Sequence, residues 1–443
     1  MEPETLRGSR ALFWPKENFL LLLPRALHAT CCCLLRRVPL LRLATFLMPY
    51  TLGPMKHIYH CIGHELKIPN IIRAEGVYVY DDEGNRYMDL EAGVWCISVG
   101  HRNPRVNRAI REQSDAVIQA GFCYSTPIVD RAAKRLLRTV GMDKGKCVFL
   151  CSGSEAIEIG RQIAKHLTGN EISMTLHDSY LGAYSAVSNR RKGWYQLDWT
   201  PCVTCKNNHQ CDKSCELLQG IPSQLSEFVF EPGSASGYVR FPPKAMIRNV
   251  VEIVRENGGK ILINEVTTGT GRTGRWWGYQ HYDIDPDLVA IGKGIGNGYP
   301  VSVATVSEHT IAELTEKPFK YAQSHQNDPL GAAVVDAVVE TIEAEALINK
   351  AEELGEELIG ALERYVDGRV VTAVRGRGLM VAVELRDAET TERIHSELIR
   401  RGQIVGNRGS FLRIDPPLTI TREEVELFRE VFGEVLTEVR ASR

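Results

Sequence analysis

Asp287-Leu288-Val289-Ala290-Ile291-Gly292-Lys293-Gly294-Ile295-Gly296-Asn297-Gly298-Tyr299-Pro300 is the stretch from which the rest of the chain is read. Leu288 to Ile291 is a short apolar run bounded by turn residues, the pattern of a buried strand. It ends in a lysine set in a glycine-rich turn. An amine carried on the end of a buried strand is poorly solvated, and burial lowers its pKa. The neutral amine is the form that attacks an aldehyde, so Lys293 is a candidate nucleophile. A surface lysine in a mobile loop is the plain alternative.

Outward from that point the pattern repeats. From 105 to 370 short apolar runs alternate with helical periodicity, which predicts βαβ units and a mostly parallel sheet. The expected strands are Cys147 to Cys151, Ile172 to Leu176, Glu227 to Phe230, Lys260 to Ile263 and Leu288 to Ile291. A polar turn follows each: Ser152-Gly153-Ser154, Asp178-Ser179-Tyr180, Glu231, Asn264-Glu265 and Lys293. Open α/β sheets bind ligands outside the carboxyl ends of their strands, so these five turns are expected to share one crevice. Ser152-Gly153-Ser154 also precedes a helical pattern, Glu155 to Leu167, and backbone N–H groups at a helix N-terminus bind phosphate. A serine N-cap with no ligand is the alternative there. Upstream, Gly76 to Leu90 alternates around Asp82-Glu83-Gly84-Asn85 and predicts a hairpin. Downstream, a long helical pattern begins near 335. Mixed segments follow at Arg375 to Leu385 and Gln403 to Leu418, and a last helix starts at Glu423.

Composition narrows the classes. The 443 residues are 44% apolar and 24% charged, enough for a large core. A net charge of −2 gives no electrostatic case for nucleic acid. Twelve cysteines without framework spacing fit a reducing compartment, so a cytoplasmic location is expected. Residues 1–54 differ from the rest, with seven basic side chains against three acidic ones and apolar runs at Phe19 to Leu23 and Cys31 to Leu35. Pro24 and the charges interrupt any 20-residue apolar span, which argues against a transmembrane helix. A targeting peptide or surface anchor is one reading of this extension. The reading preferred here is an upstream start codon, with the working protein beginning near Met55 and 1–54 unstructured.

Ile263-Asn264-Glu265-Val266-Thr267-Thr268-Gly269-Thr270-Gly271-Arg272-Thr273-Gly274, followed by Lys293-Gly294-Ile295-Gly296-Asn297-Gly298-Tyr299-Pro300, resembles the class III (omega-amino-acid type) aminotransferases, which depend on pyridoxal 5'-phosphate. The resemblance runs from about Ile72 to the C-terminus. It implies fold type I: a large α/β domain with a mostly parallel sheet, beside a smaller α+β domain made by the N- and C-terminal parts. The expected boundaries are 55–104 and 336–443 for the small domain and 105–335 for the large one, which carries a cysteine-rich insertion at 200–216. It also implies a homodimer with active sites at the subunit boundary.

The same resemblance assigns roles. Lys293 would be the catalytic lysine that forms a Schiff base with the cofactor and then moves the proton. Gly153 and Ser154 would hold the cofactor phosphate, helped by Ser324 lent from the partner subunit, and Tyr180 would stack on the ring. Family members have aromatic-His-Gly where this chain has Tyr180-Leu181-Gly182. Trp95 would line the substrate pocket and Arg413 would clamp a substrate carboxylate, since a guanidinium suits that planar partner. Glu231 would touch the pocket or an arginine in it, or else be a solvated helix-start glutamate, and Arg272 would brace its loop. Asn264 is the departure. The family has aspartate there, whose charge keeps the pyridine nitrogen protonated, and a neutral amide weakens that electron sink.

The expected reaction is ping-pong transfer of an amino group from an amino or omega-amino acid to a 2-oxo acid. Asn264 keeps two alternatives open: a racemase or epimerase on the same scaffold, or a cofactor-binding protein with reduced turnover. Separately, Cys202, Cys205, Cys211 and Cys215, with His209 among them, have the compact spacing of a zinc or iron–sulfur site. Free thiols or disulfides are the alternative.

Overall fold

A computed structural model of the chain describes residues 57–59, 61, 66–207, 210–234, 236 and 238–441. The extension 1–54 and His209 lie outside the described residues. Contacts divide the chain at Tyr59, and the unit His60–Arg443 carries every element that follows.

Three strands open this unit: β1 (Ile71–Glu75), β2 (Tyr78–Asp81) and β3 (Arg86–Asp89). Next come β4 (Lys146–Leu150), β5 (Ile172–Leu176), β6 (Trp194–Leu197), β7 (Leu225–Phe230), β8 (Lys260–Asn264), β9 (Leu288–Ile291) and β10 (Ser302–Val306). The C-terminal part adds β11 (Val371–Arg377), β12 (Met380–Leu385), β13 (Gln403–Ile404), β14 (Gly406–Arg408) and β15 (Phe411–Ile414). The central sheet has the order β4-β10-β9-β8-β7-β5-β6. Only β10 runs antiparallel to its neighbours. This is the α/β fold with a mostly parallel sheet that the sequence predicts.

Covered faces explain the composition of these strands. β7, β8 and β9 are buried at every position, so Phe228–Phe230, Ile261–Ile263 and Leu288–Ile291 read as apolar runs and not as alternating ones, while β7 also buries Ser226 and Glu227. All five expected strands are present. β6 and β10 were not anticipated: β6 is short and carries the exposed Gln196, and β10 buries the polar Ser302 and Thr305. The helix Gly153–Thr168 packs on β8, β9 and β10 and opens with a capping box between Ser152 and Glu155. The helix Pro329–Ala344 is rich in alanine and valine and almost wholly buried.

The hairpin strands extend into a sheet ordered β1-β2-β3-β13, so the two ends of the unit share one sheet. Just after β3 the backbone makes an unusual turn: Ala92, Gly93, Val94 and Trp95 all have positive φ, from 48° to 63°. Left-handed backbone costs about 1–2 kcal/mol for each non-glycine residue. Asp89 holds the turn by accepting from the N–H groups of Glu91 and Gly93, and the N–H of Trp95 donates to the carbonyl of Glu91. Such strain persists only where its surroundings over-determine it. Among the described residues no helix is long and apolar enough to cross a membrane.

Candidate active site

A cavity of about 370 Å³ lies at the carboxyl ends of the parallel strands, lined by Gly153, Ser154, Tyr180, Asn264, Thr267 and Lys293 among others. Four of the five predicted turns therefore supply a wall. The fifth, Glu231, stands behind one of them. It is 2% exposed, and its carboxylate accepts from the backbone N–H of Tyr180 at 2.9 Å. It is thus a buried brace for the aromatic turn and not a solvated helix-start glutamate.

Lys293 follows β9 with φ +47°, and its Nζ donates to Thr267 Oγ1 at 3.2 Å. Desolvation, the leading cause, lowers its pKa below the usual lysine value. Nζ also lies 4.5 Å from the ring centre of Trp95. The Arg413 guanidinium sits 4.2 Å from the same indole. Arg413 comes from β15, so one aromatic side chain ties the lysine of the central sheet to the arginine of the C-terminal one. Arg413 also donates through Nη2 to Glu91 at 2.9 Å.

Around Gly153 and Gly182 in the cavity lining close packing demands small residues. A Cβ on Gly153 would lie 2.6 Å from Val266 Cγ2, and one on Gly182 would lie 2.7 Å from Ser154 Oγ. Ser154 Oγ accepts from the Ala183 N–H at 3.0 Å. Tyr180 is exposed (49%) on the cavity wall. Asn264, at the end of β8, donates through Nδ2 to the Tyr180 carbonyl at 2.8 Å, and its Oδ1 accepts from the Val266 N–H. Those two bonds orient the amide and give the cavity a neutral polar edge. Glu265 points away. Fully buried, it accepts from Thr268 Oγ1 and from the N–H groups of Gly278 and Tyr279, and burial raises its pKa to about 7. Arg272 donates to the carbonyls of Leu379 and Pro416 and so braces its loop against the C-terminal part. Ser324 is exposed and lies outside the cavity lining of its own chain.

The family model for aminotransferase class-III matches residues 63–436. The chain belongs to the class III aminotransferases. Relatives include the acetylornithine aminotransferase of Methanopyrus kandleri, 31% identical over 386 residues, covering 87% of this chain and 97% of that protein. The LysW-aminoadipate semialdehyde/glutamate semialdehyde transaminase of Sulfolobus acidocaldarius is 29% identical over 83% of this chain and 95% of its own length. Among solved structures, an amine transaminase from an uncultivated Pseudomonas species superposes with a TM-score of 0.79 at 24% identity, covering 87% and 99% of the two chains. At that identity the likeness carries the fold. As a class III aminotransferase the chain is a pyridoxal-phosphate-dependent enzyme acting on amino and 2-oxo acids. The cavity fits that cofactor. Its lining offers a desolvated lysine and the first turn of a helix whose small residues admit a phosphate.

The cysteine segment departs from the metal expectation. Among the described residues no three His, Cys, Asp or Glu side chains are grouped to hold a metal ion. Cys202, Cys205, Cys211 and Cys215 are free thiols. Cys202 is in the apolar core, Cys211 and Cys215 pack against it, and Cys205 is exposed. Burial, with Cys215 and Cys202 close by, pushes the Cys211 thiol up to about 11. Three of these residues thus behave as small hydrophobes.

Sequence reading also missed contributors. Thr267, Cys96, Cys151 and Tyr299 line the cavity without belonging to any predicted role. Thr267 sat inside the quoted motif and could have been found there. Glu91 carried no signal, because its partner Arg413 is 322 positions away.

Proposed function

We propose that this aminotransferase takes the amino group from a donor that carries a carboxylate at a distance from the reacting amine, and passes it to a 2-oxo acid. One observation carries this reading: Lys293 and Arg413 stand on the same Trp95 ring, at 4.5 and 4.2 Å. A molecule reacting at the lysine can therefore place an anionic group on the guanidinium, with the indole between them as an apolar floor. The names of the relatives, acetylornithine and aminoadipate semialdehyde enzymes, agree with such donors.

Pyridoxal phosphate, when bound, supplies an aldehyde to accept the amino group and a ring to draw electrons from the donor carbon. This chain's own residues do the remainder. Gly153 and Ser154 would hold its phosphate at the helix start, and Tyr180 on the cavity wall would hold its ring. Lys293, once free, takes the proton from the donor carbon and returns it, and its lowered pKa favours the neutral form that this needs. Glu231 fixes Tyr180 through the backbone, and Asn264 holds the same turn from the other side. Asn264 carries no negative charge, so at this position it would hold a proton on the ring nitrogen less strongly than an aspartate and proton removal would be slower. In this reading Ser324, exposed and outside the cavity lining of its own chain, would complete the phosphate site of a partner subunit in a cytoplasmic homodimer.

The test is an absorbance titration of the cofactor-loaded protein with single amino donors and no acceptor. Conversion to the pyridoxamine form with omega-amino acids supports the reading. An unchanged spectrum with every donor, accompanied by loss of optical activity of an added amino acid, would move the chain to the racemase alternative. An unchanged spectrum with no such loss would indicate reduced turnover.

A further inference from the structure

Arginines gather where the segment after β7 lies along the C-terminal sheet. In the ladder β11-β12-β15-β14, Arg375 stands opposite Ala382, Arg377 opposite Met380, and Phe411 opposite both Glu384 and Arg408. Residues opposed across a sheet point to the same face, as do alternate residues of one strand. Arg375, Arg377 and Arg408 therefore share one face with Phe411. Val239 packs on that face with Met380 and Ala382, and Arg375 Nε donates to the Tyr238 carbonyl at 2.8 Å. The same segment brings a fourth guanidinium, Arg240.

These cations rest on aromatic rings. Arg240 and Arg408 lie 5.2 and 5.9 Å from the centre of the Tyr238 ring, and Arg375 lies 4.8 Å from that of Phe411. The two rings meet edge to face at 5.3 Å, so three like charges crowd around them. Glu384 answers Arg375 through Nη1 at 2.8 Å. Among the described residues no carboxylate pairs with Arg240, Arg377 or Arg408. Arg375 Nη2 and Arg377 Nη1 are buried donors without a hydrogen-bond partner, and buried cationic groups left unpaired are costly. His281 registers the same positive field: burial, then Arg377 and Arg275, hold it down at about 4. The chain as a whole carries a net charge of −2, so this excess is local.

We propose that this face is a docking surface for an acidic segment of a partner protein. A single small anion is too short for it. Arg377 on β11 and Arg408 on β14 are separated by three inter-strand gaps, about 14 Å across the strands. An extended polypeptide sets alternate side chains about 7 Å apart on one face, so a few aspartates or glutamates span the set. Guanidinium forks match such carboxylates bidentately. Nucleic acid fits less well. Bases bind by stacking on open rings, and here guanidiniums and a neighbouring ring already lie against Tyr238 and Phe411.

Fluorescence anisotropy of the cofactor-loaded enzyme with a labelled polyglutamate peptide tests this. Saturable binding that weakens steeply with salt is expected. Arg408→Glu and Arg240→Glu should each weaken it on the order of tenfold. Arg111→Glu, a reversal at an exposed position on the helix Pro104–Ala116, should leave it within about twofold. Arg408→Gln should weaken it by a smaller factor and serves if a reversal misfolds. Turnover of a small donor within about twofold of wild type shows that each variant is folded. No saturable binding at low salt, or equal weakening by the Arg111 variant, overturns the docking surface. An oligonucleotide that binds more tightly than the peptide, and is lost in the Arg408 and Arg240 variants, overturns it in favour of nucleic acid. A wild-type dimer that falls apart on Arg408→Glu in sedimentation overturns it in favour of a second copy of this chain.

Discussion

The two sides of the crevice are built differently. The side proposed to hold the cofactor is made by strand ends of a single sheet: Gly153 and Ser154 after β4, Tyr180 after β5, Asn264 at the end of β8, Lys293 after β9. Each position is fixed by its own strand, and the polar residue sits next to the apolar run that delivers it. The side proposed to hold the substrate is assembled from remote pieces, none of them in the cavity lining itself. Glu91 and Trp95 come from a strained turn after the first hairpin, and Arg413 from a strand 322 positions beyond Glu91. One side is a local consequence of a βα pattern. The other exists only once the N- and C-terminal parts have met in shared packing.

That difference is open to test, and the largest effect belongs to the cofactor side. Lys293→Ala should lower kcat by about 10⁴-fold or more, because the group that moves the proton is gone. A steady-state assay with the best donor checks it, and residual activity within tenfold of wild type would show that another base serves. Arg413→Ala comes next and probes the substrate side. Losing charged hydrogen bonds worth about 1.5–3 kcal/mol should raise the KM for carboxylated donors on the order of ten- to a hundredfold, with a smaller change in kcat. An equal fall in kcat for donors with and without a carboxylate would break the distinction between the two sides.

Asn264→Asp sharpens the cofactor side. Restoring the charge at the ring nitrogen should speed the donor half-reaction on the order of tenfold in rapid mixing, about 1.4 kcal/mol. A slower variant would mean that the Asn264 amide bonds to Tyr180 and Val266 matter more than the charge. Val94→Gly addresses the turn. Val94 is half exposed with φ +60°, so glycine should relieve strain and stabilise the protein by about 0.5–1 kcal/mol in urea unfolding. Destabilisation there would show that Val94 packing outweighs the strain. The smallest effect is expected at Cys205, which is exposed: Cys205→Ser should change stability by less than about 0.5 kcal/mol, with or without a chelator. A drop of several degrees in Tm on adding a chelator to the wild type would restore the metal reading.

The same contrast explains what the sequence made legible. Lys293 and Asn264 could be read because each follows an apolar run of three or four residues, and strand ends of a parallel sheet must converge. β10 escaped because Ser302 and Thr305 are polar yet buried, their hydroxyls bonding to the Ser152 carbonyl and the Met142 sulfur. The bond from the Tyr180 N–H to Glu231 was not legible, because only the folded chain brings that carboxylate under the aromatic turn. The cysteines show the opposite failure. Their spacing suggested ligands, but spacing does not say which side chains turn inward, and here Cys202, Cys211 and Cys215 serve the core while Cys205 faces solvent. Glu91 had no local pattern at all, since its meaning lies entirely in Arg413.

The central claim is that Lys293 is the group that carries the cofactor at the strand-end crevice. Borohydride reduction of the pyridoxal-phosphate-loaded protein, followed by peptide mass spectrometry, tests it directly. The account predicts a phosphopyridoxyl group on the peptide containing Lys293 and none in Lys293→Ala. Labelling of a different lysine in the wild type, or unchanged labelling in Lys293→Ala, would contradict it.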